Sequence, residues 1–177
     1  LNEAYLNGKN DKTLKKYPDF VPSLYTVYEY NYDKRNYNTA LEILTKIRKT
    51  ERFKNEDYLN LLFYKTYYAK GNYQSALDSL LKIKNNRNFQ AFIADCYLNT
   101  GSFNEAISRA SKVAPGSDGY YVAQETIFRA YYRQKKYQEA KQIAGKLIKL
   151  DPSASDNYFR YALCETDKNQ KLKYCYL

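Results

Sequence analysis

Large apolar residues recur along this chain in short stripes with the spacing of one face of an α-helix. Four such stripes are present: Leu24, Val27 and Tyr28; Phe63, Tyr64 and Tyr67; Ile93, Ala94 and Tyr97; and Ile127, Phe128 and Tyr131. Residues three and four positions apart lie on the same side of a helix. The pattern therefore predicts four helices that bury these faces as core.

A second kind of stripe follows each predicted helix and is built around small residues. Its members are four positions apart: Ala40 and Leu44, Ala76 and Leu80, Ala106 and Ala110, and Ala140 and Ala144. An alanine on the buried side of a helix lets two helix backbones approach closely. We therefore expect each first helix to pack against a second helix that follows it directly.

Short polar segments separate the two helices of each predicted pair. Asn36, Asn72 and Ser102 precede the second helices, and all three are favoured N-cap residue types. Ser102 followed by Glu105 predicts a capping box, in which each side chain satisfies a backbone donor of the other residue.

Glycine stands in two of these turns, where a flexible residue can end the first helix. Gly71 and Gly101 supply it after the second and third stripes. The fourth turn has Lys135 and Lys136 instead, and we expect it to be held by packing.

The spacing of the turns reveals an internal repeat. An aromatic residue opens each second helix, and these residues, Tyr37, Tyr73, Phe103 and Tyr137, are 36, 30 and 34 residues apart. A period near 34 residues with an aromatic-x-x-Ala element resembles the tetratricopeptide repeat. The segment LIKLDP at residues 147–152 also resembles the usual close of that repeat, although the consensus tryptophan is absent. The resemblance implies an all-α fold, an α-solenoid of about four helix-turn-helix repeats with a C-terminal capping helix.

The domain organisation follows from the repeat. We expect four repeats over residues 21–152, with approximate limits of 21–54, 55–86, 87–117 and 118–152. Residues 1–20 are expected to be a truncated N-terminal repeat, so that the native protein is longer. Residues 153–177 are expected to form one or more capping helices, because an array of repeats needs a terminal element over its last apolar face.

Composition argues against an enzyme. The 177 residues contain no histidine, which excludes histidine-dependent triads and histidine-ligated metal sites. There is no Gly-x-Ser-x-Gly element, Walker loop or Gly-x-Gly-x-x-Gly motif. Cys96 and Cys164 fall in apolar helical patterns and Cys175 lies far from both, so neither a zinc site nor a structural disulfide is expected. We predict no catalytic residues, no metal and no cofactor.

The predicted function is that of a non-enzymatic scaffold or adaptor, which binds a protein or peptide partner through a concave groove or joins a larger assembly through its faces. First helices line the concave side of such an array, and their residues turned away from the core are the candidate partner-binding set. This set is Tyr25, Glu29, Tyr32, Lys65, Tyr68, Phe92, Asp95, Arg129, Tyr132 and Arg133. Tyrosines with exposed polar tips are good recognition anchors. The alternative interpretation is that they cover the seams between helices.

A known mode of partner capture is disfavoured. Some tetratricopeptide co-chaperones hold a partner's terminal carboxylate with lysine and asparagine on the first helices. The corresponding places of the first repeat carry Tyr25 and Glu29, and Lys65 in the second repeat does not restore the set.

Net charge raises a competing hypothesis, a basic helical-repeat protein that binds nucleic acid. The chain has 29 Lys and Arg against 19 Asp and Glu, a formal charge of +10. Interleaved tyrosines would add base stacking to this charge. The most basic region, the fourth repeat, distributes its cations around two helices and mixes them with acids, which disfavours a nucleic-acid partner.

The compartment is predicted from a resemblance alone. Residues 16–25, KYPDFVPSLY, resemble the tyrosine-proline joints of bacterial envelope tetratricopeptide lipoproteins. This resemblance implies a bacterial cell envelope or periplasmic location, with the cytoplasm as the alternative. No apolar run approaches the roughly eighteen residues that cross a membrane.

Overall fold

The fold consists of helices joined by short turns. The structure, a computed structural model, describes residues 12–50, 55–165, 167 and 172. Its α-helices are Val21–Asp33 (α1), Tyr37–Lys49 (α2), Glu56–Ala69 (α3), Tyr73–Leu81 (α4), Gln90–Asn99 (α5), Phe103–Ala110 (α6), Tyr120–Arg133 (α7), Tyr137–Leu150 (α8) and Ser155–Leu163 (α9). A 3-10 turn, Arg87–Phe89, precedes α5. No strand occurs within the described ranges, so the all-α prediction is confirmed.

The described part of the chain divides into two compact units, with the boundary between Lys84 and Asn85. In unit 1, α1 packs against α2, α2 against α3, and α3 against α4. In unit 2, α5 packs against α6 and α7, α7 against α6 and α8, and α8 against α9. Each unit therefore contains two of the predicted helix pairs, and unit 2 adds the helix predicted to follow the fourth repeat.

Both predicted stripes form the cores of these units. Every alanine of the second-helix stripe, at positions 40, 76, 106, 110, 140 and 144, has 0% of its surface exposed. Leu24, Tyr28, Phe63, Ile93 and Phe128 of the first-helix stripes are buried as well. The helical phase read from the sequence is therefore confirmed.

One backbone conformation closes every first helix, whatever residue occupies the turn. Gly71 and Gly101 have φ of 82° and 84°, and the residues at the same place in the first and fourth pairs, Arg35 and Lys135, have φ of 61° and 59°. All four are left-handed, a conformation that glycine adopts without a steric penalty. The fourth turn is therefore not held by packing alone, as the sequence suggested. Its lysine takes the glycine conformation.

Two backbone hydrogen bonds accompany this conformation in each turn. The N–H of Lys135 donates to the Tyr132 carbonyl at 2.9 Å, and the N–H of Lys136 donates to the Tyr131 carbonyl at 2.9 Å. Asn72 and Ser102 donate in the same way to the carbonyls of Tyr67 and Tyr97, at 2.8 and 2.9 Å. These bonds satisfy carbonyls that the end of a helix would otherwise leave unpaired.

The predicted capping box is wrong. The Ser102 side chain makes no capping hydrogen bond, and neither does that of Asn36, whereas Asn72 accepts from the Ser75 N–H at 3.2 Å. Glu105 would have to accept the Ser102 N–H to complete the box. That N–H already donates to Tyr97, so the turn has no donor left for Glu105. Asn55, which the sequence analysis did not single out, caps α3 by accepting from the Tyr58 N–H at 3.0 Å.

A single buried amide fixes the position of α9. Asn157 in α9 has 0% exposure, and its amide nitrogen donates to the carbonyls of Leu147 and Asp151 at 3.0 and 3.1 Å. Its amide oxygen accepts from Tyr121 and Arg160, each at 2.9 Å. A buried amide with all its bonds made orients α9 firmly on α7 and α8.

Two predictions from the sequence remain outside this description. The proposed N-terminal repeat falls partly in residues 1–11, although residues 12–16 are helical. The proposed cap over residues 168–176 and Cys175 also lie almost wholly outside the described residues. The repeat limits remain predictions.

Enlarging a second-helix alanine tests the packing. Ala76→Leu or Ala140→Leu should lower the free energy of unfolding by about 1–3 kcal/mol, because either site has no free surface to take the added atoms. Urea denaturation measures the change. Ala69→Leu, at the exposed end of α3, is the control and should be near neutral. An equal effect at Ala69 and Ala76 would contradict the packing described.

Introducing glycine tests the turn. A left-handed conformation costs a non-glycine residue about 1–2 kcal/mol in the folded state. Glycine avoids this cost, but its greater freedom stabilises the unfolded chain by about 0.4–1 kcal/mol, which offsets part of the gain. Lys135→Gly and Arg35→Gly should therefore each raise the free energy of unfolding by about 0.5–1 kcal/mol. The converse change, Gly71→Ala, should lower it, although no atom lies within 4 Å of the added Cβ. A loss of stability in Lys135→Gly would count against a left-handed turn.

Candidate protein-binding surface

In unit 1, a buried hydrogen bond holds the two first helices side by side. The Tyr28 hydroxyl on α1 lies 3.1 Å from the Thr66 hydroxyl on α3, and Thr66 also donates to the Leu62 carbonyl at 2.8 Å. Tyr28 is 4% exposed and Thr66 is 0% exposed. Burial is the largest cause that raises the pKa of Tyr28 from 10.0 to about 12. The bond fixes the spacing of the helix faces that carry the candidate residues.

Tyr25 lies at the edge of this interface, next to a residue that the sequence analysis missed. Its ring packs against that of Tyr58 on α3, with centroids 5.9 Å apart, and Tyr58 is 44% exposed. Burial is the largest cause that raises the pKa of Tyr25 from 10.0 to about 12. The available signal for Tyr58 was an aromatic residue in the first turn of a first helix.

Glu29 and Lys65 are the charged candidates of unit 1. Both are exposed, on α1 and α3 respectively. Together with the Tyr25–Tyr58 pair they place an acid, a base and an aromatic pair on the first helices of this unit.

Three candidate tyrosines cover helix seams. Each packs its ring edge-on against the aromatic residue that opens the following helix: Tyr32 with Tyr37 at 5.7 Å, Tyr68 with Tyr73 at 5.2 Å, and Tyr132 with Tyr137 at 5.4 Å. Aromatic pairs of this geometry stabilise by about 0.5–1.5 kcal/mol beyond burial of their area. The seam interpretation therefore holds for these contacts, and the half-buried rings retain partial exposure for a partner.

In unit 2, an ion pair joins the first helices. Arg129 Nη1 on α7 donates to Asp95 Oδ1 on α5 at 2.9 Å, and the Asn99 amide donates to Asp95 Oδ2 at 3.0 Å. Arg133, one turn further along α7, donates to the Leu98 carbonyl at 3.3 Å. The structure thus brings together three of the predicted charged residues. Asp95, at 8% exposure, serves first to orient Arg129.

A second ion pair of this kind joins α7 to α9 in unit 2. Arg160 on α9 donates to a carboxylate oxygen of Glu125 on α7 and to Asn157. The spacing of 35 residues between Glu125 and Arg160 matches the 34 between Asp95 and Arg129. The charges on these helix faces are therefore partly neutralised within the fold.

Phe92 is the exposed apolar candidate of unit 2. It lies on α5 with 39% of its surface exposed, and its ring centroid is 6.5 Å from that of Phe89. A partly exposed aromatic side chain on a first helix is a candidate anchor for a partner.

The two cysteines of the described residues are buried in the helix cores. Cys96 and Cys164 are free and buried, and burial raises the pKa of each thiol, that of Cys96 to about 12. No group of three or more potential metal ligands occurs among the described residues. The helices described here are also too short or too polar to cross a membrane.

Comparison with known proteins identifies the fold. No family model and no curated protein matches this chain. Among solved structures, MamA from Desulfovibrio magneticus RS-1, residues 41 to the end, superposes with a TM-score of 0.72 at 15% identity, over 89% of this chain and 90% of that one. The structure described as "Podosopora anserina putative kinesin light chain nearly identical TPR-like repeats" superposes with a TM-score of 0.64 at 15% identity, over 89% and 90% of the two chains. The expected tetratricopeptide-repeat fold is confirmed.

Because the pKa of Tyr28 is raised in the folded state, the free energy of unfolding should fall as the pH becomes alkaline. The folded pKa of about 12 exceeds the unfolded value of 10.0, so the folded state favours the protonated hydroxyl. This contribution is complete below pH 10 and is lost as pH rises towards 12. Tyr28→Phe should therefore show a smaller fall in unfolding free energy between about pH 9 and about pH 11 than the parent.

The control for this measurement keeps the phenol and removes its partner. Thr66→Val retains nearly the same shape and should lose stability at every pH, with a fall at least as steep as the parent's, because the Thr66 hydrogen bond lowers the pKa of Tyr28. Equal slopes in Tyr28→Phe and the parent would show that Tyr28 is not the titrating group.

Proposed function

We propose that this tetratricopeptide-repeat chain is a non-enzymatic protein-binding module, a scaffold or adaptor. It holds a protein or peptide partner on the faces of its first helices, or joins a larger assembly through those faces. The fold supports this proposal because stacked helix pairs present extended surfaces.

The observation that carries the proposal is that side chains on the first helices are held in place yet remain partly exposed. The side chain of Arg129 is 41% exposed while Asp95 fixes its guanidinium at 2.9 Å. Tyr58 is 44% exposed while its ring packs against Tyr25. Groups that are already ordered lose less conformational entropy when a partner binds, so more of their contact energy becomes affinity.

The proposed contact residues form one set in each unit. In unit 1 they are Tyr25, Glu29, Tyr32, Lys65 and Tyr68, to which the structure adds Tyr58. In unit 2 they are Phe92, Asp95, Arg129, Tyr132 and Arg133. The tyrosines that cover seams contribute only their exposed edges, whereas the exposed charges and Phe92 are the stronger anchors.

Nucleic acid remains the less favoured partner. Several cations that supply the formal charge are paired with carboxylates: Arg48 with Glu56, Arg129 with Asp95, Lys141 with Glu165, and Arg160 with Glu125. A phosphate backbone would have to displace these acids.

The bacterial envelope location remains a prediction that rests on the resemblance of residues 16–25. The structural neighbours share the fold at 15% identity and carry no information on compartment for this chain.

Substitutions on the first helices test the proposal. The partner is first captured from native cells by crosslinking, identified by mass spectrometry and purified. Its affinity is then measured for the parent chain, for Glu29→Ala with Lys65→Ala in unit 1, and for Phe92→Ala with Arg133→Ala in unit 2. At least one double variant should weaken binding by roughly fivefold or more, as expected when interface anchors are truncated. Circular dichroism checks that helicity is kept.

The matched control places the same changes on second helices. Glu42→Ala with Lys82→Ala removes one acid and one lysine from unit 1, at an exposed site of α2 and at the end of α4. This variant should bind as the parent does. Loss of binding in the control, with both first-helix variants unaffected, would move the functional surface to the second helices. Affinity for nucleic acid that falls steeply with salt would favour the alternative.

A further inference from the structure

A cleft in unit 1 lies apart from the first-helix residues proposed above. It opens between the segment that leads into α1 and the C-terminal end of α2, with a volume of about 840 Å³. Its described lining is Lys16, Tyr17, Pro18, Asp19, Phe20, Val21, Pro22, Lys46, Lys49 and Thr50. Clefts that hold ligands in proteins usually measure about 300–1,000 Å³. This one is therefore large enough to take several side chains of a partner.

The charge of the described lining is positive. Lys16, Lys46 and Lys49 face one acid, Asp19. Lys46 lies 3.8 Å from Asp19, and the two side chains are 44% and 73% exposed, so that pair is weak. Lys46 and Lys49 also end α2, where cations balance the negative end of the helix dipole. The three lysines and one aspartate give the described lining a net charge of +2.

The two aromatic residues of the lining are exposed. Tyr17 is 56% exposed and Phe20 is 47% exposed, and the backbone between them is stiffened by Pro18. The ammonium group of Lys16 lies 5.3 Å from the centroid of the Tyr17 ring. Exposed aromatic rings on a proline-containing turn offer contact area at a low cost in conformational entropy.

We propose that this cleft binds an acidic peptide segment of a partner protein, with one large apolar side chain seated against Tyr17 and Phe20. The carboxylates of the segment pair with Lys16, Lys46 and Lys49 around it. Charge complementarity selects an acidic sequence, and the exposed rings select an apolar anchor within it. This site is additional to the first-helix surface, because none of the proposed first-helix contact residues lines it.

The shape of the site favours a peptide over a lipid surface. A membrane contact needs apolar side chains that project together from a convex surface with cations around them. Here the lysines and the aromatic residues line one concavity between two segments. An extended peptide can enter such a concavity, whereas the plane of a bilayer meets only its rim.

A binding assay with defined probes tests the proposal. The full chain is titrated into a short fluorescein-labelled peptide that carries one phenylalanine between aspartates and glutamates, and anisotropy is recorded. Two matched peptides replace either the acids with lysines or the phenylalanine with serine. We expect saturable binding of the first peptide only, weakened by added salt because the pairs are exposed. Equal binding of all three peptides would overturn the proposal.

The chain offers an internal control of matched charge and position. Lys46→Gln with Lys49→Gln removes two lysines three residues apart at the end of α2, and Lys146→Gln with Lys149→Gln removes two with the same spacing at the end of α8. The first variant should lose roughly fivefold or more in affinity, and the second should match the parent. Equal losses in both would show that net charge alone attracts the peptide, and would overturn the site.

The aromatic residues and a lipid source are tested separately. Phe20→Ala, at an exposed position, should weaken binding of the acidic peptide without changing thermal unfolding by much.

Vesicles of phosphatidylcholine with phosphatidylserine are then offered to the parent and to the Lys46→Gln, Lys49→Gln variant. Vesicle binding that depends on these lysines, together with no saturable peptide binding, would contradict the peptide proposal and assign the cleft to an anionic membrane surface. If the cleft does not bind the acidic peptide, the first-helix proposal is unaffected, because the proposed first-helix contact residues do not line the cleft.

Discussion

Each helix pair depends on one residue in the left-handed conformation, which ends the first helix and reverses the chain. At Arg35, Gly71, Gly101 and Lys135 a left-handed φ between 59° and 84° recurs, with the same two returning backbone hydrogen bonds. The reversal brings the second helix onto the first, where a fully buried alanine allows close approach. It also brings Tyr37, Tyr73 and Tyr137 against the tyrosines of the preceding helices.

Close packing on one side of each first helix leaves the other side for polar groups. In unit 1 the neighbouring first helices meet through the buried Tyr28–Thr66 hydrogen bond, and in unit 2 they meet through Asp95 and Arg129. These bonds stabilise the stacking of pairs and also fix the side chains that we propose for partner binding. The proposed recognition and the stability of the fold would therefore draw on the same residues, and a substitution on this face has to be checked for both effects.

The sequence predicted the helices and their buried faces because a 3.6-residue period and a 34-residue repeat are properties of the chain itself. Its failures were local. Arginine and lysine rarely adopt a left-handed conformation, so Arg35 and Lys135 did not indicate one. Only their alignment with Gly71 and Gly101 could have suggested it. The capping box failed because the Ser102 N–H is used by the turn. The Glu125–Arg160 contact joins helices whose register is decided by packing, so residue types alone could not reveal it.

Hydrogen exchange at the turn amides tests the central claim most directly. The N–H groups of Asn36, Asn72, Ser102 and Lys136 close the four turns by donating to carbonyls of the first helices. If the turns are part of each cooperative helix pair, these amides should exchange as slowly as the helical amides beside them. Fast exchange at Asn36 and Lys136, with slow exchange at Asn72 and Ser102, would contradict a common left-handed turn. Those pairs would then be held by side-chain packing alone.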